Sequence, residues 1–262
     1  LSTLTIIVLA FVSSRSTTKS LDEVIGKQVH NLANSTAYAV GDLLVQQVNA
    51  LEALSIGAAL QDTITTANEN YAGTAAAIQA HIETLDHEWI TAPDSNPLIQ
   101  KTLNNTLSTE LRLFQAHFPD HLEIFVTDRY GALLAATNRT TDYNQADESW
   151  WQAAYLQGKG AIYVTDPQVN ESVDILSLRI AVPVYAQDQT TVIGIVATTY
   201  HICAIQAVLT ANTEDQPGPW VALLVPDGRW LAPGGEHLKV ILNDEWIEVA
   251  SSNQSSYTTY QY

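Results

Sequence analysis

The sequence predicts an α+β fold in which a long amino-terminal helix is followed by an antiparallel sheet. Apolar residues recur at spacings of three and four as far as residue 118, which is the spacing of helices with one buried face. Two short apolar runs then flank a turn at 128–131, a pattern typical of a β-hairpin. Two more apolar strands are expected at 176–184 and 192–196. Helices that precede such a sheet indicate the α+β class.

The first fourteen residues are apolar or small, and the first charge is Arg15. Because a membrane-spanning helix needs about 20 apolar residues, we expect this segment to be the outer end of a transmembrane helix that begins upstream. The anchor and its juxtamembrane segment are predicted to occupy 1–19. A cleaved signal peptide is the alternative.

Residues 20–72 are predicted to form a long helix. The apolar residues at helical spacing are Leu21, Ile25, Val29, Leu32, Val40, Leu43, Leu44, Val48, Leu51 and Leu54. Together they form one stripe, and such a stripe can pair with a second copy of the chain in a homodimer. The alternative is that it packs only against its own domain.

Two further helices are predicted before the first strand. Ile78, Ile82 and Trp89 lie on one face of the first helix, and the prolines of 93–97 separate it from the second. The second is expected to continue through 103–118.

The segment 124–200 combines several features in a characteristic order. Its hairpin has the turn Asp128-Arg129-Tyr130-Gly131; paired aromatics, Trp150 and Trp151, open a short helix; Asp166-Pro167 and the two final strands follow. This order resembles the Cache family of extracytoplasmic sensor domains. The resemblance implies a PAS-like, membrane-distal Cache domain over 73–211 that binds a small molecule.

A smaller module is predicted at 212–262. After a polar linker at 212–219, predicted strands at 220–225 and 229–232 flank the turn Pro226-Asp227-Gly228. This pattern resembles the start of a second, membrane-proximal Cache-like unit, which is only partial.

The resemblance also implies where a ligand would bind. Amino-acid-binding members carry an arginine two residues before the first paired aromatic, and here that position is Glu148. The family motif expects an aromatic residue and two aspartates at the positions that correspond here to Gln168, Asn170 and Thr199. Because these residues differ from the motif, a standard α-amino acid is not the expected ligand. The predicted ligand-binding residues are Tyr143, Asp147, Glu148, Trp150, Trp151, Gln168, Asn170 and Thr199.

The aromatic residues leave two interpretations open. Aromatic rings beside Glu148 or Asp147 would suit a cation. If the domain senses any small ligand, Trp151→Ala is expected to abolish binding without unfolding the domain. Alternatively, Trp150 and Trp151 belong to the core, since tryptophan contributes a large apolar area. Both interpretations hold if one ring lies in the core and the other in the pocket.

Composition excludes several classes of function. With 11 basic and 28 acidic residues the net charge is −17, which disfavours nucleic acid as a partner. A single cysteine, Cys203, rules out an internal disulfide and is expected to be buried. The sequence has no nucleophile elbow, phosphate-binding glycine loop or zinc-binding helix motif, and we expect no enzyme activity, cofactor or metal.

The function expected from the sequence is ligand sensing in a membrane-anchored signal-transduction receptor. Its folded domain would lie outside the cytoplasm, in the periplasm or the extracellular space. The alternative is a membrane-anchored surface subunit, structural or protein-binding, that keeps the Cache fold without sensing a small ligand.

Overall fold

The computed structural model describes the backbone of residues 2–170, 175–211, 221–224, 229–231 and 239–240, and side chains from residue 24 onward except at 224, 230, 239 and 240. The chain forms two compact units. One comprises residues 43–204, and the other combines the described residues of 1–42 and 205–262.

In the described ranges, five helices precede the first strand, and two more helices lie among the strands that follow. The helices are α1 (Ser2–Ser55), α2 (Ala58–Glu69), α3 (Ala75–Thr91), α4 (Pro97–Leu103), α5 (Thr106–His117), α6 (Ser149–Tyr155) and α7 (Cys203–Thr210). The strands are β1 (His121–Asp128), β2 (Leu133–Ala136), β3 (Tyr163–Val164), β4 (Gln168–Asn170), β5 (Ile175–Tyr185), β6 (Val192–His201), β7 (Leu223–Leu224), β8 (Arg229–Leu231) and β9 (Lys239–Val240).

Two predicted helical segments are each divided in the structure. The segment 20–72 breaks after Ser55, because Gly57 adopts an extended conformation with ψ 127°, and α2 leaves at 65° to α1. The segment 103–118 breaks at Asn105, whose side chain accepts a hydrogen bond from the Ser108 amide at 2.8 Å and so begins a new helix. Each break lies at one residue, Gly57 in the first segment and Asn105 in the second.

The sheet of the 43–204 unit confirms the predicted α+β class and the order of elements. Its strands lie in the order β2-β1-β6-β5-β3, with β4 also paired to β5, and every pairing is antiparallel. One buried cluster joins residues of α3, α4 and α6 to this sheet, with Trp89, Phe125 and Ile195 among its members. The helix with the paired tryptophans is therefore held against the middle of the sheet.

The predicted hairpin turn is present and has a tight geometry. Asp128 Oδ1 accepts hydrogen bonds from the backbone amides of Tyr130 and Ala132 at 2.8 and 3.0 Å. Gly131 has φ of +85°, and a Cβ at this position would lie 2.5 Å from Ala146. The turn thus requires glycine for both its conformation and the close approach of Ala146.

The other unit contains a three-stranded antiparallel sheet in the order β7-β8-β9. These strands overlap the two predicted from the sequence at 220–225 and 229–232. The predicted linker at 212–219 and the turn Pro226-Asp227-Gly228 lie outside the described residues.

Two other expectations concern the amino-terminal segment and the cysteine. Side chains of the predicted anchor, 1–19, lie outside the described residues; among those described, no single helix has the length and apolar character needed to cross a membrane, although α1 from Val24 and α2 meet that test as a bent pair. The prediction that Cys203 is buried is wrong: it is exposed, with Sγ 3.6 Å from His201 Nε2.

Candidate functional site

Three polar residues stand side by side across the centre of the sheet. In the strand register Glu123 of β1 is opposite Thr199 of β6, and Thr199 is opposite Arg179 of β5. Side chains at directly paired positions project from the same face of a sheet. The register therefore brings a carboxylate, a hydroxyl and a guanidinium together from distant parts of the chain.

These residues form a buried hydrogen-bonded group, which we call the polar row. Glu123 Oε2 accepts hydrogen bonds from Thr199 Oγ1 at 3.2 Å and Arg179 Nη1 at 3.5 Å. Glu123 is 1% exposed, and its Oε1 has no hydrogen-bond partner among the described residues. A buried carboxylate oxygen without a donor is costly, so this atom marks the polar row as the candidate site.

Helix α6 brings Trp150 against the polar row. The Arg179 guanidinium carbon lies 5.2 Å from the centre of the Trp150 ring and 4.9 Å from that of Phe125. The two rings meet edge to face, with centres 5.7 Å apart. Alanines 181 and 197 occupy the next positions on β5 and β6 and belong to the same buried cluster. Small residues in the sheet leave room for these large side chains.

Burial and neighbouring charges oppose one another at the polar row. Burial raises the pKa of Glu123, although Arg179 and Thr199 act to lower it. Burial also lowers the pKa of Arg179, against the attraction of Glu123, Glu148 and Asp142. Burial therefore disfavours the charged forms of both Glu123 and Arg179. Hydrogen bonds from a bound ligand would replace part of the lost hydration.

Four of the predicted site residues lie at or near the polar row. Thr199 belongs to it, and Trp150 lies against Arg179. Asn170 Nδ2 donates to Thr199 Oγ1 at 3.3 Å, which extends the row onto β4. Glu148, half-buried just before α6, acts electrostatically on Arg179. These contacts place parts of β4, β6 and α6 around one point.

The other four predicted residues have different surroundings. Trp151 is 5% exposed, donates from Nε1 to Thr127 Oγ1 at 2.9 Å and stacks on Tyr155 at 4.7 Å. The Tyr143 ring lies 5.8 Å from Trp89 and lines an open cavity of about 380 Å³ between α2, α4, α5 and β2. Asp147 and Gln168 are exposed.

Sequence reasoning missed Glu123 and Arg179. A signal for both was present, because Arg179 interrupts the apolar run of 176–184 and Glu123 precedes the apolar run of 124–126. A charge inside an apolar strand is rarely buried unless it is paired. The pattern did not reveal that the two are neighbours.

His121 connects the same strand to the long helix. Its Nδ1 is 3.0 Å from Thr198 Oγ1, and its Nε2 is 3.1 Å from Oε1 of Gln47 in α1. Thr198 in turn donates to the backbone carbonyl of Glu123 at 2.9 Å. A continuous set of hydrogen bonds thus runs from α1 to the strand that carries the polar row.

His121 is expected to make stability depend on pH. Burial lowers its pKa from 6.5 to about 4, so the folded protein favours the neutral ring. The associated stability is complete above pH 6.5 and is lost as the pH falls toward 4, by at most ~3 kcal/mol. We expect urea unfolding of His121→Gln to show a smaller loss of stability between pH 7 and pH 4.5 than the unaltered protein.

The matched control is His117→Gln, because His117 is exposed at the end of α5. It should retain the original pH dependence. An equal pH dependence in His121→Gln and in the unaltered protein would contradict the role assigned to His121.

No group of three or more His, Cys, Asp or Glu side chains is arranged to hold a metal ion within the described residues.

No protein-family profile matches the chain, and no curated protein matches it. Several solved structures are similar. The ligand-binding domain of the Campylobacter jejuni chemoreceptor Tlp3, in complex with L-norvaline, has a TM-score of 0.48 and 13% identity over 87% of this chain and 73% of that one.

Two others are similar at lower scores. The ligand-binding domain of the Pseudomonas aeruginosa PAO1 chemoreceptor PctB, in complex with L-arginine, has a TM-score of 0.45 and 18% identity over 80% of this chain and 71% of that one. The sensor domain of the V. cholerae histidine kinase DctB has a TM-score of 0.40 and 12% identity over 72% of this chain and 60% of that one. The chain is thus similar to ligand-binding and sensor domains of chemoreceptors and of a histidine kinase.

Proposed function

We propose that the chain is the extracytoplasmic ligand-sensing part of a membrane-anchored signalling receptor of the Cache type, and that it is not an enzyme. The ligand is a small molecule other than a standard amino acid, bound between α6 and the sheet of the 43–204 unit. The observation that carries the proposal is the buried Oε1 of Glu123, which has no hydrogen-bond donor in the described part of the chain and lies in a row of polar residues beneath an aromatic helix.

The element order supports the same function. The resemblance seen in the sequence implies a ligand between the aromatic helix and the sheet, and Trp150 of that helix packs against Arg179 of the polar row. A ligand there would favour one closure of α6 on the sheet, by an amount set by its difference in affinity between the two states. The hydrogen bonds through Thr198 and His121 to Gln47 give this change a route to α1.

A thermal-shift screen of the full chain tests the proposal. Amines, carboxylates, sugars and purines are each added, and at least one class is expected to raise the melting temperature. A ligand at 100 times its dissociation constant stabilises the folded state by about 2.7 kcal/mol. Thr199→Val, which removes one hydroxyl of the polar row, should reduce the shift, whereas Thr109→Val on the exposed side of α5 should not.

The alternative function is that of a surface structural or protein-binding subunit, and one observation favours it. Trp150 and Trp151 are only 4% and 5% exposed, so the aromatic residues also serve as core. If no compound of any class changes the melting temperature of the folded chain, the alternative replaces the sensing proposal.

The membrane anchor at 1–19 and a homodimer through α1 are also part of the proposal. Val24, Tyr38 and Val45 are exposed by 55%, 76% and 57%, and their positions differ by multiples of seven. Residues seven apart share one face of a helix, as in coiled-coil pairs. This face could therefore contact a second copy of α1.

Cysteine crosslinking tests the dimer. In a Cys203→Ser background, Tyr38→Cys is expected to form a disulfide-linked dimer under mild oxidation. Ala37→Cys, which is exposed but lies about 100° around the helix, should form far less. Equal crosslinking at both positions would exclude a dimer with this face at its centre.

A further inference from the structure

Arg179 has more hydrogen-bond donors than the described residues around it can accept. A guanidinium carries five N–H donors, and within the described residues its side chain makes one hydrogen bond, the 3.5 Å contact with Glu123. Its side chain is 12% exposed. The remaining donors thus have limited contact with water and lack protein acceptors in the described part of the chain.

The aromatic rings determine what can reach those donors. Phe125 and Trp150 both lie within 5.2 Å of the guanidinium carbon, a distance at which rings contact the cation itself. A planar guanidinium binds a carboxylate best through two parallel N–H bonds along its edge. A compact carboxylate is therefore the group that best satisfies Arg179.

The second unsatisfied atom, Glu123 Oε1, requires a hydrogen-bond donor. The Thr199 hydroxyl and the Arg179 guanidinium both donate to the other oxygen of this carboxylate, Oε2. An ammonium group at Oε1 would lie close to the Arg179 guanidinium, and like charges at such distances repel strongly where water is excluded. A hydroxyl donates the same hydrogen bond without this repulsion.

Other acidic groups near the site act on the cation. Asp142 and Glu148 attract Arg179 and so help to keep it charged. They also oppose an anionic ligand, which makes direct hydrogen bonds to the guanidinium necessary for binding.

The geometry points to a small carboxylate that carries a hydroxyl group, in its simplest form an α-hydroxy acid, as the ligand of the polar row. Its carboxylate binds the edge of Arg179, and its hydroxyl donates to Glu123 Oε1. This inference rests on the proposed sensing function and specifies the chemical class of the ligand.

Isothermal titration calorimetry on the full chain tests it with four matched probes. Lactate carries both groups, propionate lacks the hydroxyl, alanine has an ammonium in its place, and isopropylamine lacks the carboxylate. Lactate is expected to bind about 10-fold or more tightly than propionate, because propionate leaves Glu123 Oε1 unpaired. Alanine and isopropylamine are expected to bind more weakly than lactate.

Variants of the pair identify the atoms involved. Arg179→Lys keeps the charge beside Glu123 but not the planar edge, so lactate should bind at least about 10-fold more weakly. Arg129→Lys is the matched control. Arg129 also lies over an aromatic ring, that of Tyr130 at 4.8 Å, but it is exposed and does not belong to the polar row. Glu123→Gln should reduce the preference for lactate over propionate. Circular dichroism verifies that each variant is folded.

The possible failures are distinguishable. Tighter binding of alanine or isopropylamine than lactate would overturn the ligand class and leave the sensing function in place. Unchanged lactate affinity in a folded Arg179→Lys would overturn the role of the pair. No binding of these probes overturns the ligand class, and no binding by the wider panel of the thermal-shift screen overturns the sensing function as well.

Discussion

Replacing Arg179 with methionine is expected to lower the free energy of unfolding by about 3–5 kcal/mol, the usual effect of removing one partner of a buried ion pair. Methionine retains the apolar contacts with Phe125 and Trp150, so the loss isolates the charge. Among the described residues, Glu123 would then keep one side-chain hydrogen bond, from Thr199. Urea unfolding at pH 7 measures the change.

The double variant Glu123→Gln/Arg179→Met should recover part of this loss, because no charge then remains buried in the polar row. The single Arg179→Met variant should also gain stability relative to the unaltered protein as the pH falls from 7 toward 4.5. Burial already raises the pKa of Glu123, and without Arg179 its protonated form is favoured further.

The control is Arg129→Met. Arg129 is exposed and lies over the Tyr130 ring, an arrangement that contributes about 0.5–1 kcal/mol. A loss in Arg179→Met no larger than in Arg129→Met would show that the buried pair does not stabilise the fold.

The elements that sequence predicted well have local signals. The hairpin depends on Asp128 and Gly131, three positions apart, and the structure shows why both are needed: one accepts hydrogen bonds from two backbone amides and the other has a positive φ. The apolar strands at 176–184 and 192–196 were likewise evident from composition. Each of these features is encoded within about ten residues of chain.

The two missed helix breaks also have local causes, but weaker ones. Gly57 is one of several glycines in the helical segment, and Gly26 and Gly41 are accommodated within α1. Asn105 follows another asparagine, Asn104, and only the packing of α4 and α5 against β2 distinguishes the cap from its neighbour. Tertiary contacts therefore determined which breaker acted.

The polar row could not be predicted because it depends on strand register. Glu123 and Arg179 are 56 residues apart in sequence and meet only through β6, which lies between their strands. A shift of one residue in either pairing would turn one of the two to the opposite face. The family resemblance instead predicted an arginine just before α6, and Glu148 occupies that position.

The two tryptophans of α6 are expected to differ in what they support. Trp150 lies against Arg179 and Phe125, whereas Trp151 donates to Thr127 Oγ1 at 2.9 Å and stacks on Tyr155. The sequence-based expectation was that Trp151→Ala would leave the domain folded; its hydrogen bond and burial point to a structural contribution instead.

Trp151→Ala is therefore expected to lower the free energy of unfolding by about 3–5 kcal/mol, the range for removing a buried aromatic side chain. Trp151→Phe, which retains a ring but not the donor, should cost less, about 1–2 kcal/mol. Trp150→Phe retains a ring against Arg179 and should weaken lactate binding more than Trp151→Phe does. If Trp151→Ala unfolds at the same urea concentration as the unaltered protein but no longer binds ligand, Trp151 contributes to the binding site rather than to the core, and the ligand lies nearer to Thr127 than the polar row implies.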